Sequence, residues 1–175
     1  ALLAAEGAKG AFCGRRGAHV ERGAADLSAA SGGPVLGIQA DVTQLADCER
    51  LVASTVEAFG GLDILVNNAG ASAASRLQDL DDAAWQADFD LKIMGAVRMC
   101  RLAIPLLRAR GGGSIINASI GGGKAPRAGQ LPTSLSRPAG LHRTQSLSPA
   151  TPAAQIPPHS ACLRPLTGAP WDPPR

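Results

Sequence analysis

The sequence contains no tyrosine, and only three phenylalanines and two tryptophans stand among its 175 residues. Its hydrophobic content of 45% must therefore come mainly from alanine and aliphatic side chains. Any core is built from Ala, Val, Leu and Ile, and every mechanism that uses a tyrosine phenol is excluded. A chain of this length suffices for one domain with a real core and is too short for two of ordinary size.

Long apolar runs are missing as well. No stretch reaches the roughly 18 residues that a membrane-spanning helix needs, and charged residues soon follow the apolar start, residues 1–5. We therefore expect a soluble, cytoplasmic protein that has no signal peptide and does not contact membranes. The four cysteines and three histidines are scattered without close spacing, so we expect neither a disulfide framework nor a metal site.

Acidic residues are scarce in the second half of the chain. Residues 1–90 carry 13 acidic and 6 basic side chains, whereas residues 91–175 carry 1 acidic and 11 basic ones. A basic interaction protein that works through residues 91–175 is therefore one alternative. However, the aromatic residues that stack on bases are nearly absent and no nucleic-acid-binding motif is present. We expect no nucleic-acid partner.

Proline follows the same division. Eleven of the 13 prolines lie at or beyond Pro126, where they remove backbone donors and interrupt helices. Residues 142–175 show neither the period of a strand nor that of a helix. We therefore predict one domain over residues 1–141 and an irregular, Pro/Arg-rich tail over residues 142–175.

Short apolar runs alternate with amphipathic stretches through the first 120 residues. One helix is expected to start with Thr43 as its N-cap and to end at Gly60-Gly61, and a long helix to occupy residues 81–110. The predicted strands cover residues 10–13, 35–40, 62–66 and 114–118. This alternation predicts an α/β fold in which helices cover both faces of a parallel sheet.

Distinctive short motifs follow these strands directly. Arg15-Arg16 comes after the first strand, Asp41-Val42 after the second and Asn67-Asn68-Ala69-Gly70 after the third, while Asn117-Ala118-Ser119 ends the fourth. In an open α/β sheet, ligands bind at the carboxyl ends of the strands. The motifs therefore predict one binding edge.

A further glycine-rich motif, Gly121-Gly122-Gly123-Lys124, invites comparison with a phosphate-binding loop. Such a loop needs a glycine five residues before its last glycine and a Ser or Thr after the lysine. Ala118 and Ala125 stand at those positions, so this interpretation is rejected.

The motifs and their order resemble the short-chain dehydrogenase/reductase family over residues 1 to about 141. The family's Asn-Asn-Ala-Gly element stands intact as Asn67–Gly70, and its Asp-Val pair as Asp41-Val42. The resemblance implies a Rossmann-like fold, a nicotinamide cofactor, and hydride transfer between that cofactor and a carbonyl or secondary alcohol.

The resemblance also implies roles for single residues in cofactor binding. Arg15 and Arg16 stand where NAD-preferring members carry an acidic residue, and arginines can pair with a 2′-phosphate, so NADP is favoured over NAD. Asp41 would accept from the adenine amino group, and Val42 would lie against the ring. The backbone of Asn67, Asn68, Ala69 and Gly70 would pass close to the cofactor, although Asn67 and Asn68 could instead tie neighbouring strands together.

The chain departs from the family at its start. The family's first strand and the glycine-rich turn after it, which presents amides to the cofactor diphosphate, have no counterpart in the 175 residues. In the family's sheet that strand lies centrally, so we expect a gap with two unpaired strand edges facing one another. The expected fold is thus a Rossmann-like sheet lacking the first strand and the C-terminal strands, as an incomplete sequence would give.

The catalytic positions of the family are substituted too. Alignment places Thr133 at the family's tyrosine, Arg137 at its lysine, Ile120 at its serine and Lys92 at its helix asparagine. Threonine is too weak an acid to replace a phenol, and arginine stays charged. We therefore assign no catalytic residue, with two alternatives left open: Ser119 in the serine role and Lys92 as an unusual acid.

The sequence thus predicts an NADP(H)-dependent oxidoreductase that acts on a carbonyl, of 3-oxoacyl type or a small ketone, or on the corresponding alcohol, and that is inactive in this form. The alternative is a non-catalytic Rossmann-like nucleotide-binding or regulatory protein. If the chain pairs with a second copy, helix 81–110 is the expected contact.

Overall fold

Helices and strands alternate along the computed structural model, which describes residues 2–120, 128–147 and 158–163. The strands are β1 (Gly10–Gly14), β2 (Val35–Gln39), β3 (Ile64–Asn67), β4 (Ser114–Ile120) and β5 (Pro158–Leu163). The helices are α1 (Leu2–Ala5), α2 (Gly17–Ser31), α3 (Leu45–Phe59), α4 (Asp82–Phe89), α5 (Gly95–Ala109) and α6 (Thr133–Leu147).

Glycines end two of these helices. Gly32 after α2 and Gly60 after α3 adopt left-handed φ values of 68° and 81°, and the amide of each donates to the carbonyl four residues earlier. Glycine reaches this conformation without the steric penalty that other residues meet. The prediction that the helix after Thr43 ends at Gly60-Gly61 is confirmed.

The strands pair in parallel, as the sequence predicts. β1 pairs with β2, with Gly10 opposite Val35, and β4 lies between β3 and β5, with Ile64 opposite Ser114 and Ile115 opposite Pro158. The fold is therefore a Rossmann-like α/β fold. Since parallel strands need crossovers, the intervening helices cover the sheet.

A gap divides the sheet between β1 and β3. Within the described residues the strands form one group of two and one group of three, and no ladder joins the groups. A cavity of about 850 Å³ lies between them, lined by residues 10–13 and 61–69 among others. Ile64 and Val66 on β3 are 41% and 47% exposed. The predicted central gap with two unpaired edges is confirmed.

Helix packing holds the two groups of strands together. α3 packs on α5, and Val42 contacts the α-carbon region of Gly95 so closely that an added side chain would press on it. One apolar core contains buried residues from both sides, namely Ala40, Val42, Cys48, Leu51, Leu65, Met99, Cys100, Ala103, Leu107 and Ile115. The domain therefore keeps one core although its sheet is divided.

The long helix predicted over residues 81–110 forms with one irregularity. Asp81 caps α4 by accepting a hydrogen bond of 2.8 Å from the Ala84 amide. A single π-helical turn over residues 90–94 then connects α4 to α5. Such turns within α-helices often mark functional sites.

Two predictions about local structure are wrong. Thr43 is not the N-cap of α3, because its amide and its hydroxyl both donate to the Asp41 carboxylate, and Gln44 takes the cap position. The stretch predicted as an irregular tail without C-terminal strands contains the end of α6 and the whole of β5, which pairs with β4. Residues 148–157 and 164–175, like the Gly121–Lys124 motif, lie outside the described residues.

We expect the amide hydrogens of β4 to exchange with solvent more slowly than those of β1 and β3. β4 is paired on both sides, whereas β1 and β3 each face the gap with unpaired backbone groups. Hydrogen–deuterium exchange of peptides that cover the three strands measures this, with α5 as the internal reference. Equal protection of all three strands would contradict an open gap.

Candidate functional site

Two arginines stand at the carboxyl end of β1, beside the end of β2. The Ala40 amide donates to the Gly14 carbonyl at 3.0 Å, and Gln39 Nε2 donates to the Arg15 carbonyl at 3.0 Å. Arg15 and Arg16 are exposed, and neither takes part in an ion pair within the described ranges. Their guanidinium groups are thus available to an anion.

Asp41 lies next to them, in a small network of hydrogen bonds. Its Oδ1 accepts from Thr43 N at 3.0 Å and from Thr43 Oγ1 at 2.9 Å, and its own amide donates to Asp47 Oδ2 at 2.7 Å. Arg50 donates to Asp47 Oδ1 and to the Gln39 carbonyl, both at 2.6 Å. The Asp41 amide, followed by the Arg50 guanidinium, holds the pKa of the Asp47 carboxyl below its usual value.

A solvent-open hollow of about 710 Å³ lies over this edge, with Arg15, Asp41 and Arg50 in its lining. Arg15, which has no carboxylate partner among the described residues, stands there beside Asp41, whose Oδ2 makes no described hydrogen bond. The hollow thus offers a cation and a hydrogen-bond acceptor side by side.

Val42 points away from this hollow. Its side chain is buried in the core against Gly95, and its carbonyl accepts a hydrogen bond from Arg98. Contact between Val42 and an adenine ring stays a prediction.

The Asn67–Gly70 segment leaves β3 at the gap. Asn67 Nδ2 donates to Asn117 Oδ1 at 3.0 Å and approaches Cys100 Sγ at 3.4 Å. Asn67 therefore connects β3 to β4 and to α5, which agrees with the alternative that it ties neighbouring strands together. Asn68, Ala69 and Gly70 are exposed. Asn68 and Ala69 line the 850 Å³ cavity.

The guanidinium of Arg137 lies directly over Gly70. A side chain added at Gly70 would collide with it, so glycine makes this approach possible. Arg137 Nη1 donates to the Ala118 carbonyl at 3.2 Å, while its buried Nε has no hydrogen-bond partner among the described residues. Arg137 therefore connects α6 to the ends of β3 and β4.

A buried polar cluster joins α4, the π turn and α6. Lys92 Nζ forms an ion pair with Asp88 Oδ1 and donates to Thr133 Oγ1 at 2.8 Å. The Asp88 and Lys92 side chains are each only 2% exposed, and Thr133 is buried as well. The Ala73 amide also donates to Thr133 Oγ1, at 3.3 Å.

The family model described as short chain dehydrogenase matches residues 1–162. The chain belongs to the short-chain dehydrogenase family. The match covers β1 to β4 and all but the last residue of β5, and it runs 21 residues beyond residue 141, the end that the motifs alone indicate.

Individual relatives agree with this membership. The chain is 37% identical over 147 residues to a Streptomyces violaceoruber protein named as ketoacyl reductase 2 of the granaticin polyketide synthase, which covers 82% of the chain and 57% of that protein. The crystal structure of L-sorbose reductase from Gluconobacter frateurii with NADPH and L-sorbose matches with a TM-score of 0.84 and 30% identity, over 88% of this chain and 59% of that one.

A third relative was solved with the other cofactor. The structure of the NADH-dependent reductase A1-R′ with NAD matches with a TM-score of 0.85 and 26% identity, over 93% of this chain and 70% of that one. The chain spans about half the length of the curated relatives it matches.

The resemblance of the chain to short-chain dehydrogenases gives the buried cluster its meaning. Thr133 and Lys92 are the residues that sequence reasoning aligns with the family's tyrosine and helix asparagine, and the structure brings the two into hydrogen-bond contact. Sequence reasoning missed Asp88. Its position four residues before Lys92 was the available signal, because residues at that spacing share one face of a helix.

Other kinds of site find no support in the described part of the chain. It contains no cluster of metal-ligating side chains, and no helix in it is long and apolar enough to cross a membrane. Cys13 and Cys48 are free thiols. Burial raises the pKa of the Cys13 and Cys48 thiols, with nearby carboxylates adding to the effect, which makes these two poor nucleophiles at neutral pH.

We expect the substitution Lys92→Met to lower the free energy of unfolding by about 3–5 kcal/mol, because it leaves the Asp88 carboxylate buried without its cation. The double variant Asp88→Leu/Lys92→Met is expected to recover most of that loss, since it removes both charges. Urea unfolding measures both.

The exposed pair Asp63–Arg110 is the matched control for the buried one. Arg110→Met is expected to cost less than about 1 kcal/mol, because water and ions already screen this pair. An equal cost for Lys92→Met and Arg110→Met would contradict the burial of the Asp88–Lys92 pair.

We expect Asp47 to stabilise the fold in a pH-dependent way. Because its folded pKa is lowered, its contribution is fully present above the unfolded value near pH 4 and is lost as the pH falls through the lower folded value. The difference in melting temperature between the wild type and Asp47→Asn should therefore be largest at neutral pH and shrink below pH 4. Asp26→Asn, on the exposed surface of α2, is the control, and a difference that grows with acidification would contradict the expectation.

Proposed function

We propose that the chain forms part of an NADP(H)-dependent oxidoreductase that interconverts a carbonyl and a secondary alcohol, with a 3-oxoacyl compound or a small ketone as substrate. The proposal rests on two neighbouring arginines, Arg15 and Arg16, which follow β1 at the edge of the sheet where Asp41 lies. Neither forms an ion pair within the described residues. Two cations at the end of β1 would attract a 2′-phosphate, whereas the two hydroxyls of an NAD ribose would leave them without an anion.

The relatives support the reaction class and leave both cofactors open. One is named as a ketoacyl reductase and another is a sugar reductase solved with NADPH, whereas a third is NADH-dependent. The choice of NADP for this chain therefore rests on its own arginines.

The residues of this chain would hold the cofactor at its two ends. Arg15, Arg16 and Asp41 fit the adenosine part, and residues 67–69 and Arg137 line the cavity that would take the nicotinamide. A bound nicotinamide would supply or accept the hydride.

We propose that this 175-residue form does not turn over by the family's usual proton path. The chain has no tyrosine, and the described residues include no glycine-rich turn that could present amides to the diphosphate. The alternative is a non-catalytic nucleotide-binding or regulatory protein. A cytoplasmic location and self-association through helix 81–110 stay predictions.

Titration of the chain with NADPH and NADH tests the cofactor assignment. We expect NADPH to bind more tightly, and Arg15→Ser/Arg16→Ser to weaken NADPH binding about tenfold while leaving NADH binding unchanged, since charge-assisted hydrogen bonds to phosphate are worth about 1.5–3 kcal/mol. Arg22→Ser is the matched control, because Arg22 is exposed on α2 away from the hollow.

Equal loss of both cofactors in the double variant would refute the assignment. NADPH binding by the wild type without any carbonyl-dependent oxidation would favour the nucleotide-binding alternative.

A further inference from the structure

We infer that Thr133, Lys92 and Asp88 form a site that binds a carbonyl oxygen and supplies it with a proton, in place of the tyrosine that the chain lacks. The inference rests on the proposed function insofar as the ligand is a carbonyl compound. Thr133 is the group that contacts the carbonyl oxygen, and Lys92 and Asp88 are positioning residues that act through it.

The hydrogen bonds at Thr133 leave only one direction for its own proton. A threonine hydroxyl has two lone pairs and one hydrogen. Lys92 Nζ and the Ala73 amide donate to the oxygen and so occupy both lone pairs. No group in the described part of the chain accepts the hydroxyl hydrogen. The Thr133 hydroxyl is therefore a donor without an acceptor, which is what a carbonyl oxygen requires.

The ammonium group of Lys92 overcomes the weakness of threonine as an acid. A hydroxyl alone is a far weaker acid than a phenol, but an alkylammonium and a phenol are acids of similar strength, with ordinary pKa values of about 10.4 and about 10. A hydroxyl that receives a proton from an ammonium as it gives up its own works as a relay. Two groups thus replace the single phenol, a hydroxyl that contacts the carbonyl oxygen and an ammonium that supplies the proton.

The surrounding protein holds this ammonium in place. Asp88 holds it as a buried ion pair across one turn, and the π turn over residues 90–94 carries Lys92. Arg98 pairs with Asp90 at 2.9 Å and fixes that turn from the opposite side. Lys92 is therefore buried at a defined position next to Thr133 of α6. A flexible surface lysine would have no such fixed position.

Lys92 brings the cluster to the edge of the larger cavity. Lys92, Ser136 and Arg137 belong to the lining of the 850 Å³ cavity. Arg137 is one turn after Thr133 on the same face of α6 and contacts the Ala118 carbonyl. Ser119, which follows Ala118 on β4, is buried, and its hydroxyl has no hydrogen-bond partner in the part of the chain that the structure describes. Two buried hydroxyls therefore lie near one cavity, and within the described residues that of Thr133 has no acceptor and that of Ser119 has no partner. Such groups point to a ligand that accepts hydrogen bonds.

The proton step balances as follows in the direction of reduction. A reduced nicotinamide, when bound, would supply a hydride to the carbonyl carbon, and the π electrons of the C=O bond would move to the oxygen. The oxygen takes the Thr133 hydroxyl proton, and the Thr133 oxygen takes one proton from the Lys92 ammonium. Lys92 regains a proton from water, so one carbonyl, one hydride and one proton give one alcohol.

Binding of a ketone in the absence of cofactor tests the inference. The probe is 4-fluoroacetophenone, followed by fluorine NMR, and 1-ethyl-4-fluorobenzene is the matched compound without the carbonyl oxygen. We expect the ketone to bind to the wild type more tightly than the hydrocarbon. Thr133→Val should weaken ketone binding about tenfold and leave the hydrocarbon unaffected, because one hydrogen bond is lost. Thr133→Ser should restore ketone binding.

Ser134→Ala is the control for the loss of a hydroxyl in α6. Ser134 is half-buried and follows Thr133 directly, but it does not belong to the lining of the cavity. This variant should bind the ketone like the wild type. Thermal unfolding of each variant verifies that it is folded before its binding is measured.

The role of Lys92 has a readout of its own. The chain contains only three lysines, Lys9, Lys92 and Lys124, so nitrogen-15 labelling of lysine gives three ammonium signals, and Lys92→Arg identifies the one that belongs to Lys92. We expect the Lys92 signal to shift when the ketone saturates the wild type and the Thr133→Ser variant, but not in Thr133→Val. A purely structural ion pair would not respond in this way.

Three results would overturn the inference: no ketone binding to the wild type up to the solubility limit of the probe, equal binding to the wild type and Thr133→Val, or a Lys92 signal that does not move when the ketone is bound. Because no cofactor is present, these results are independent of the NADPH titration. Failure of the cofactor assignment and failure of this inference are thus told apart.

Discussion

The packing of α3 on α5 is the interaction on which the rest of this domain depends. A parallel sheet normally carries its own continuity through backbone hydrogen bonds, but here β1 and β3 do not pair across the described sheet. Apolar side chains must do this work instead, with Cys48 and Leu51 of α3 meeting Met99 and Ala103 of α5 beneath the gap. Hydrophobic burial has little directionality. It can therefore hold the two groups of strands together without fixing the register that a strand between them would impose.

This arrangement separates the two ends of the candidate site in physical terms. Arg15, Arg16 and Asp41 belong to the β1–β2 group, whereas residues 67–70 and the Lys92 cluster belong to the β3–β4–β5 group. A ligand that spans both groups would gain affinity only if their spacing is right. A small carbonyl compound would touch the second group alone, and its binding does not depend on how the gap is filled.

Much of the fold follows from local pattern. β1 to β4 are short apolar runs between glycines or polar residues, and such runs show themselves in a single sequence. α6 and β5 do not, because α6 contains Pro138 and has little amphipathic pattern, and β5 is only six residues long. Both gain their stability from packing and pairing with β4. Thr43 shows the same limit at a smaller scale, since its hydroxyl donates to Asp41 and is thereby turned away from the helix amides.

Single residues of the candidate site could be predicted from the sequence, but the contacts between them could not. The residues at the strand ends follow from the order of motifs, because the carboxyl ends of parallel strands share one edge. The Asp88–Lys92 pair is readable from its spacing of four. Its contact with Thr133 joins residues 41 positions apart, and only the packing of α6 against the π turn brings them together. No local signal encodes such a contact.

The substitutions at the family's catalytic positions make physical sense as a set. Thr133 without a charged neighbour would be a buried hydroxyl of no use as an acid, and Lys92 without Asp88 would be a buried charge at a cost of several kcal/mol. Arg137, bulkier than the lysine it replaces, fits only because residue 70 has no side chain. Random replacement of interacting positions would be expected to leave unpaired charges and steric clashes. Instead, Lys92 pairs with Asp88 and donates to Thr133, and Arg137 donates to the Ala118 carbonyl.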